Sequence, residues 1–109
     1  RRQEGQMTPD GAEAALAAIV RLDILPRLIG AAPDPAAGAL ATELIASGKD
    51  KNLPPLLRSL VFIPLLHGDR PIDRERAVAL FAGLRRETQD PVFEELHAFA
   101  LQRRAALDP

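Results

Sequence analysis

Apolar residues recur along most of this chain with the spacing of one-sided α-helices. In the segment 73–87, Ala77, Phe81 and Leu84 fall on one stripe, and most charged side chains lie off it. The segment 91–107 has a second stripe of the same kind. No segment shows the alternation of apolar and polar residues that marks a half-buried strand. The pattern therefore predicts an all-α protein.

Local signals place the ends of about five helices. Asp34 and Asp90 each precede a proline, a pair of residue types that is typical of a helix start. Gly30, Gly48 and Gly68 follow three expected helix ends, where a glycine in the left-handed conformation is favoured. The loops are short, as expected for antiparallel helix pairs. The predicted helices span residues 9–30, 35–47, 53–68, 73–87 and 91–107.

The third predicted helix carries the expected core. Its sequence, LPPLLRSLVFIPLL over residues 53–66, is apolar on almost every side, and Arg58 is its only charge. A helix with this pattern is buried on several faces. We treat the whole chain, residues 1–109, as a single helical domain in which residues 1–8 form a disordered tail.

Two segments repeat a pattern 38 residues apart. ILPRLIG at residues 24–30 and FIPLLHG at residues 62–68 place a proline, a leucine and a glycine at matching positions. A proline inside a helix removes one backbone hydrogen bond and clashes with the preceding turn, so we expect each helix to bend there. A period of this length is typical of stacked helix pairs. The positions to which we assign a structural role are Pro26, Gly30, Pro64 and Gly68.

The repeated unit resembles HEAT-type repeats. Residues 62–84 carry the features of that family, with leucines after Pro64, Asp69 in the turn, and Arg76 beside small residues in the second helix. Residues 24–45 are similar but lack the arginine. The resemblance implies a surface of stacked helices that binds other proteins. An irregular bundle of about five helices, in which the prolines merely end helices, is the alternative. The repeats would span residues 15–52 and 53–90, and residues 91–107 would form a capping helix.

Composition and charge exclude several classes of function. The net charge is −1, so no overall field attracts the chain to nucleic acid or to an anionic membrane. There is no cysteine, which excludes disulfides, thiolate metal sites and cysteine nucleophiles. The longest apolar run, LVFIPLL at residues 60–66, is too short to cross a bilayer. We expect no membrane contact, and the cytoplasm is the default compartment.

The amino-acid composition also indicates the kind of genome that encodes the chain. Twelve arginines stand against two lysines, and alanine is abundant, as in proteins encoded by GC-rich, bacterial-like genomes. The chain does not start with Met, so we expect a trimmed chain or a piece of a longer protein.

The strongest candidate for a binding surface is an arginine-rich stretch around the fourth helix. Between residues 70 and 86, five arginines stand against Asp73 and Glu75, which gives a local charge of +3. Such a cluster can bind phosphate groups, and its binding would depend strongly on salt. No aromatic residues for base stacking are interleaved with the early arginines, and a solvated charged face is the simpler interpretation. The candidate residues are Arg70, Arg74, Arg76, Arg85 and Arg86.

Signals for catalysis or metal binding are weak. His67 and Asp69 stand close together at a predicted helix end, but their spacing matches no metal-binding template. A histidine near a helix C-terminus is also explained by the helix dipole. Motifs of phosphate-binding loops, dinucleotide-binding folds and serine hydrolases are missing from the sequence. We therefore expect no enzyme activity, no cofactor and no metal site.

The sequence favours a protein-interaction or assembly module. Its expected partner is another protein or a second copy of the chain, bound by the arginine-rich fourth helix and the exposed side of the second helix. Binding of nucleic acid or phosphate through the arginines is one alternative. A regulatory domain that holds a small apolar ligand along the third helix is another.

Overall fold

The helices of this protein are seen in a computed structural model that describes residues 11–108. Within that range no strand occurs, which confirms the all-α prediction. The first three elements follow one another without a break, so the described chain forms five α-helical segments, as predicted. Two predictions lie outside the described residues: the disordered tail 1–8 and the start of the first helix at residue 9. The elements are α1 Ala12–Ile19, a π-helical turn Val20–Ile24, α2 Leu25–Leu28, α3 Ala36–Ala46, a 3₁₀ turn Lys49–Asn52, α4 Pro55–Leu66, α5 Pro71–Glu87 and α6 Val92–Leu107.

Aspartate side chains explain where α3 and α6 begin. Oδ1 of Asp34 accepts a hydrogen bond from the backbone N–H of Ala36 at 2.9 Å. Oδ1 of Asp90 accepts one from the N–H of Val92 at 3.0 Å. These contacts satisfy backbone donors that have no partner in the first helical turn. The two starts predicted from the aspartate–proline pairs are thereby confirmed to within one residue.

Two other predicted starts are displaced by two residues. α5 begins at Pro71, because a proline fits the first helical position, and Asp73 lies in the first turn where the helix dipole favours negative charge. α4 begins at Pro55, because Lys49–Asn52 forms a separate 3₁₀ turn that ends in the extended residue Leu53.

Pro26 accounts for the π-helical turn. A proline has no N–H, so the carbonyl of Leu22, four residues earlier, loses its helical donor. The helix widens at this point, and the N–H of Leu25 donates to the carbonyl of Val20, five residues back. The Leu22 carbonyl instead accepts the N–H of Asp34 at 2.8 Å. The proline thus exchanges one helical bond for a bond that ties the following loop to the helix.

Glycines with a left-handed backbone end two of the helical segments, as predicted. Gly30 has φ 77° and Gly48 has φ 78°. After α2, the N–H of Gly30 donates to the carbonyl of Arg27 at 3.3 Å, and the N–H of Ala31 donates to that of Pro26 at 2.8 Å. This pair of bonds is the Schellman motif, in which glycine is favoured because it has no Cβ.

The same prediction is wrong for Gly68. This residue is not among the glycines with positive φ. A Cβ at Gly68 would lie 3.2 Å from the carbonyl oxygen of Leu65, which is closer than an ordinary contact. Close packing against the end of α4, and not backbone handedness, therefore favours glycine at this position.

The chain divides into two compact units, Arg1–Val61 and Phe62–Pro109, with the boundary inside α4. In the first unit α1 packs against α3. The bond between Asp34, which precedes α3, and Leu22, which follows α1 in the π-helical turn, places the start of α3 beside the end of α1, so these two helices run antiparallel. Both the single domain and the two repeats stay predictions. The buried apolar residues of this unit are Ala12, Leu16, Ile19, Ala37, Ala41, Leu44, Leu53 and Val61.

In the second unit α5 packs against α6. The pair is antiparallel, because Arg74 in the first turns of α5 contacts Asp108, which follows the end of α6. The rings of Phe62 and Phe81 meet edge to face, with centroids 5.6 Å apart. The buried apolar residues of this unit are Phe62, Leu65, Leu66, Ala77, Val78, Phe81, Leu84, Phe93 and Ala100.

Within α4, the buried apolar residues lie in the second half of the helix. In α4, Val61, Phe62 and Leu66 are fully or almost fully buried, whereas Leu56 and Leu57 in the first turn are exposed. Core residues therefore concentrate where the proline-containing end of α4 lies.

Candidate interaction surfaces

The arginines predicted as a binding surface are spread along α5. Arg70 precedes the helix and donates from Nε and Nη2 to the two carboxylate oxygens of Asp73, at 3.0 and 3.1 Å. Arg85 lies at the other end of α5, about 20 Å away at 1.5 Å per residue. Arg76 and Arg86 are exposed. The five candidates therefore do not converge on one site.

Arg74 does not belong to an exposed surface, which corrects its place among the predicted binding residues. Only 6% of the residue is exposed. Its guanidinium donates to both carboxylate oxygens of Asp108 and to the carbonyl of Gly68. These hydrogen bonds raise the pKa of Arg74 and lower the pKa of Asp108. Arg74 thus joins the turn before α5 to the end of α6, because its position on α5 faces the neighbouring helix.

His67 and Asp69 do not form a metal site with other side chains. Nδ1 of His67 accepts a hydrogen bond from Nε of Arg103 at 3.0 Å, and its ring lies 6.3 Å from that of Phe99. Asp69 is exposed. Across residues 11–108, no three His, Cys, Asp or Glu side chains are grouped so that they could hold a metal ion. His67 lies just after α4 and contacts α6 through Arg103 and Phe99.

A second histidine, His97, lies among arginines on the α5–α6 pair. Its Nδ1 is 3.4 Å from Nη1 of Arg85. Burial lowers the pKa of His97, and repulsion from Arg85, Arg86 and Arg104 lowers it further. No local pattern in the sequence identifies this cluster, because Arg104 lies on a different helix from Arg85 and Arg86.

The surface that sequence reasoning missed is a stripe of exposed apolar residues at the end of the first helical segment. Leu25, Leu28 and Ile29 are 50%, 75% and 80% exposed. Their spacing of three and four residues places them on one side of the helix. Asp23 is buried and accepts from Arg27 at 3.0 Å, so the polar contacts of this segment lie elsewhere. We call these three residues the α2 stripe.

Leu28 and Ile29 are the two most exposed large apolar residues that the structure describes, and Leu25 is half exposed. The others lie on α4, α5 and α6 and range from 38% to 68% exposed: Leu56, Leu57, Ile72, Phe99, Leu101 and Leu107. No local signal in the sequence identifies this stripe, because the spacing from proline to glycine is the same at Pro64 and Gly68, where Leu66 is buried.

A shallow cleft in the first unit bears on the ligand-binding alternative. Its volume is about 200 Å³, and residues of α1 and α3, with neighbouring loop residues, line it. No residue of α4 takes part, although the sequence interpretation expected a pocket along this helix. None of the helices formed by residues 11–108 is long and apolar enough to span a bilayer.

Comparison with known protein families identifies the family of this chain. A family model described as "Bacterial protein of unknown function (DUF924)" matches residues 1–108. The chain belongs to the DUF924 family. No curated protein and no solved structure gives a significant match. The match does not assign HEAT repeats, and the bacterial description of DUF924 agrees with the bacterial-like composition.

Proposed function

We propose that this DUF924 protein is a non-enzymatic interaction or assembly module, and that a partner protein docks on the α2 stripe. The observation that carries the proposal is the exposure of Leu25, Leu28 and Ile29 on one side of a helix end. Contiguous exposed apolar residues mark interaction sites more often than single ones do. Anchors spaced by three and four residues are the pattern by which a helix enters a partner's groove.

Burial of the α2 stripe would contribute favourably to docking. Burying one Leu or Ile side chain contributes about 1.5–3 kcal/mol. Three such side chains can offset a substantial part of the freedom that two proteins lose when they associate. The bond between Leu22 and Asp34 fixes the adjoining loop, so little backbone ordering is needed when the partner binds.

The arginine alternative has weaker support as a nucleic-acid surface. Arg70 is paired with Asp73, Arg74 is buried, and Arg104 donates to Glu75 at 2.9 Å. A continuous row of free cations, which a phosphate backbone requires, is therefore interrupted at several points.

The HEAT-like arrangement and a cytoplasmic location are further parts of the proposal. Helices α2 and α4 both end two residues after their proline, at Leu28 and at Leu66, which supports a repeated unit. A stack of only two repeats would leave apolar residues for a partner to cover.

Photo-crosslinking tests the proposed docking surface. We replace Ile29 with a photoreactive amino acid in the full chain and irradiate cells that express it. The proposal predicts an adduct of one defined mass, which Leu28→Asp abolishes. Leu56→Asp, at another exposed leucine of the first unit, serves as the matched control and leaves the adduct intact. An adduct of twice the chain mass would identify a second copy as the partner.

Two outcomes would contradict the proposal. The first is the absence of any adduct of defined mass from position 29. The second is an adduct that persists in Leu28→Asp and disappears in Leu56→Asp, because the docking surface would then lie at the start of α4.

A further inference from the structure

Two basic side chains, Arg85 and His97, lie close together on the second unit. Nη1 of Arg85 lies 3.4 Å from Nδ1 of His97, at the outer limit of a hydrogen bond. The contact requires a neutral imidazole, because Nδ1 must accept. When His97 is protonated, two donors face each other. An anion that approaches both groups from the solvent side would accept hydrogen bonds from both.

The charges around this pair are predominantly positive. Arg85 and Arg86 on α5 and Arg104 on α6 all repel a proton on His97. The nearest acidic partner of Arg85 is Glu94, whose Oε2 is 4.0 Å from Nη2 and whose side chain is largely exposed. Glu75 engages Arg104 at 2.9 Å. The carboxylates therefore leave the guanidinium of Arg85 without a tight ion pair.

We propose that Arg85 and His97 form a binding site for a phosphate group, carried by inorganic phosphate or by a phosphorylated small molecule. A guanidinium offers a planar fork of N–H donors that matches two phosphate oxygens, and protonated His97 donates to a third. Arg86 and Arg104 add attraction at longer range. The site lies in the unit Phe62–Pro109 and does not depend on the α2 stripe.

The side chains around the site explain why it suits a compact anion and not a long polyanion. Glu94 lies beside Arg85, and Glu75 occupies Arg104. A phosphodiester strand that continued past His97 would approach these carboxylates. A single phosphate group needs to displace only the loose contact with Glu94.

An NMR titration of the His97 ring signals tests the site. The pKa of His97 is measured in the full chain with inorganic phosphate and, separately, with chloride at the same ionic strength. Bound phosphate favours the imidazolium, so we expect the pKa of His97 to rise by about 1 in phosphate relative to chloride. A second titration with a sugar phosphate shows whether the phosphorylated molecule binds more tightly than the free anion.

Two variants give the test its specificity. Arg85→Gln removes the fork and should abolish the difference between phosphate and chloride. Arg76→Gln removes another exposed arginine of α5 and should preserve the difference. Thermal unfolding of both variants confirms that each is folded. Equal pKa values in the two salts, or an undiminished difference in Arg85→Gln, would overturn the proposal.

Discussion

The two proline-containing helix ends have matching sequences and opposite surroundings. Both α2 and α4 end two residues after the proline, and a glycine follows two residues later. At the first end, Leu28 is 75% exposed, whereas its counterpart Leu66 is fully buried. The first end also contains a π-helical turn, which α4 lacks.

This difference separates what a local motif determines from what packing determines. The motif terminates a helix in both places, because the ring of proline and the following glycine act within one turn. Burial depends on which elements come next. After α4, Arg74 and Asp108 hold the turn against α6, whereas the loop after α2 is held by backbone bonds to its own helical segment, including the bond from Asp34 to Leu22.

Truncation of the matched leucines should give the largest difference in stability between the two helix ends. Leu66→Ala should lower the free energy of unfolding by about 2–5 kcal/mol, because it leaves a cavity in the core. Leu28→Ala should change it by less than about 0.5 kcal/mol, because the side chain is exposed. Urea unfolding of the two variants measures both values. Similar losses would show that the two ends are equivalent.

The next largest effect concerns the contact that holds the second turn. Arg74→Met should destabilise the protein, because the Asp108 carboxylate and the Gly68 carbonyl lose their donor. Arg70→Met, which removes an exposed ion pair, is the control and should have little effect. Thermal midpoints of the two variants are compared at neutral pH.

The same contact gives a pH dependence with a definite sign. Arg74 lowers the pKa of Asp108 below 3.8 in the folded state. The resulting stability is present above pH 3.8 and is lost as the pH falls through the folded pKa. Arg74→Met should reduce this loss of stability in acid, and an unchanged acid profile would argue against the contact.

A smaller effect distinguishes the two glycines. Gly30→Ala should cost about 1 kcal/mol, because alanine resists the left-handed conformation. Gly30→Asn should cost less, because asparagine tolerates that conformation. At Gly68 the constraint is the close Leu65 carbonyl, so asparagine should be no better than alanine there. Denaturant unfolding of the four variants tests whether asparagine rescues only position 30.

The smallest effect should appear at Pro26. Pro26→Ala restores an N–H that competes for the Leu22 carbonyl, now bonded to Asp34. We expect faster hydrogen exchange at the amide of Asp34, with little change in global stability. Unchanged exchange at Asp34 would show that the proline does not create this bond.

The order of the helices is predictable from the sequence, whereas the burial or exposure of individual side chains on their surfaces is not. Helix starts at Asp34 and Asp90 depend on contacts within two residues, and the sequence predicts them well. The burial of Arg74 depends on Asp108, 34 residues later, and no local pattern reports that pairing. The exposure of Leu28 was equally hidden, since an apolar residue in a helical pattern is ordinarily assigned to the core.

The role of the α2 stripe is tested most directly by measuring stability and docking in one variant, Leu28→Asp. If a partner docks on the stripe, the variant has an unchanged thermal midpoint and loses the photo-crosslinked adduct at position 29. The exposed leucine would then serve a partner and not the fold. A lowered midpoint would mean that Leu28 supports the core, and a normal adduct would mean that the α2 stripe is not the docking surface.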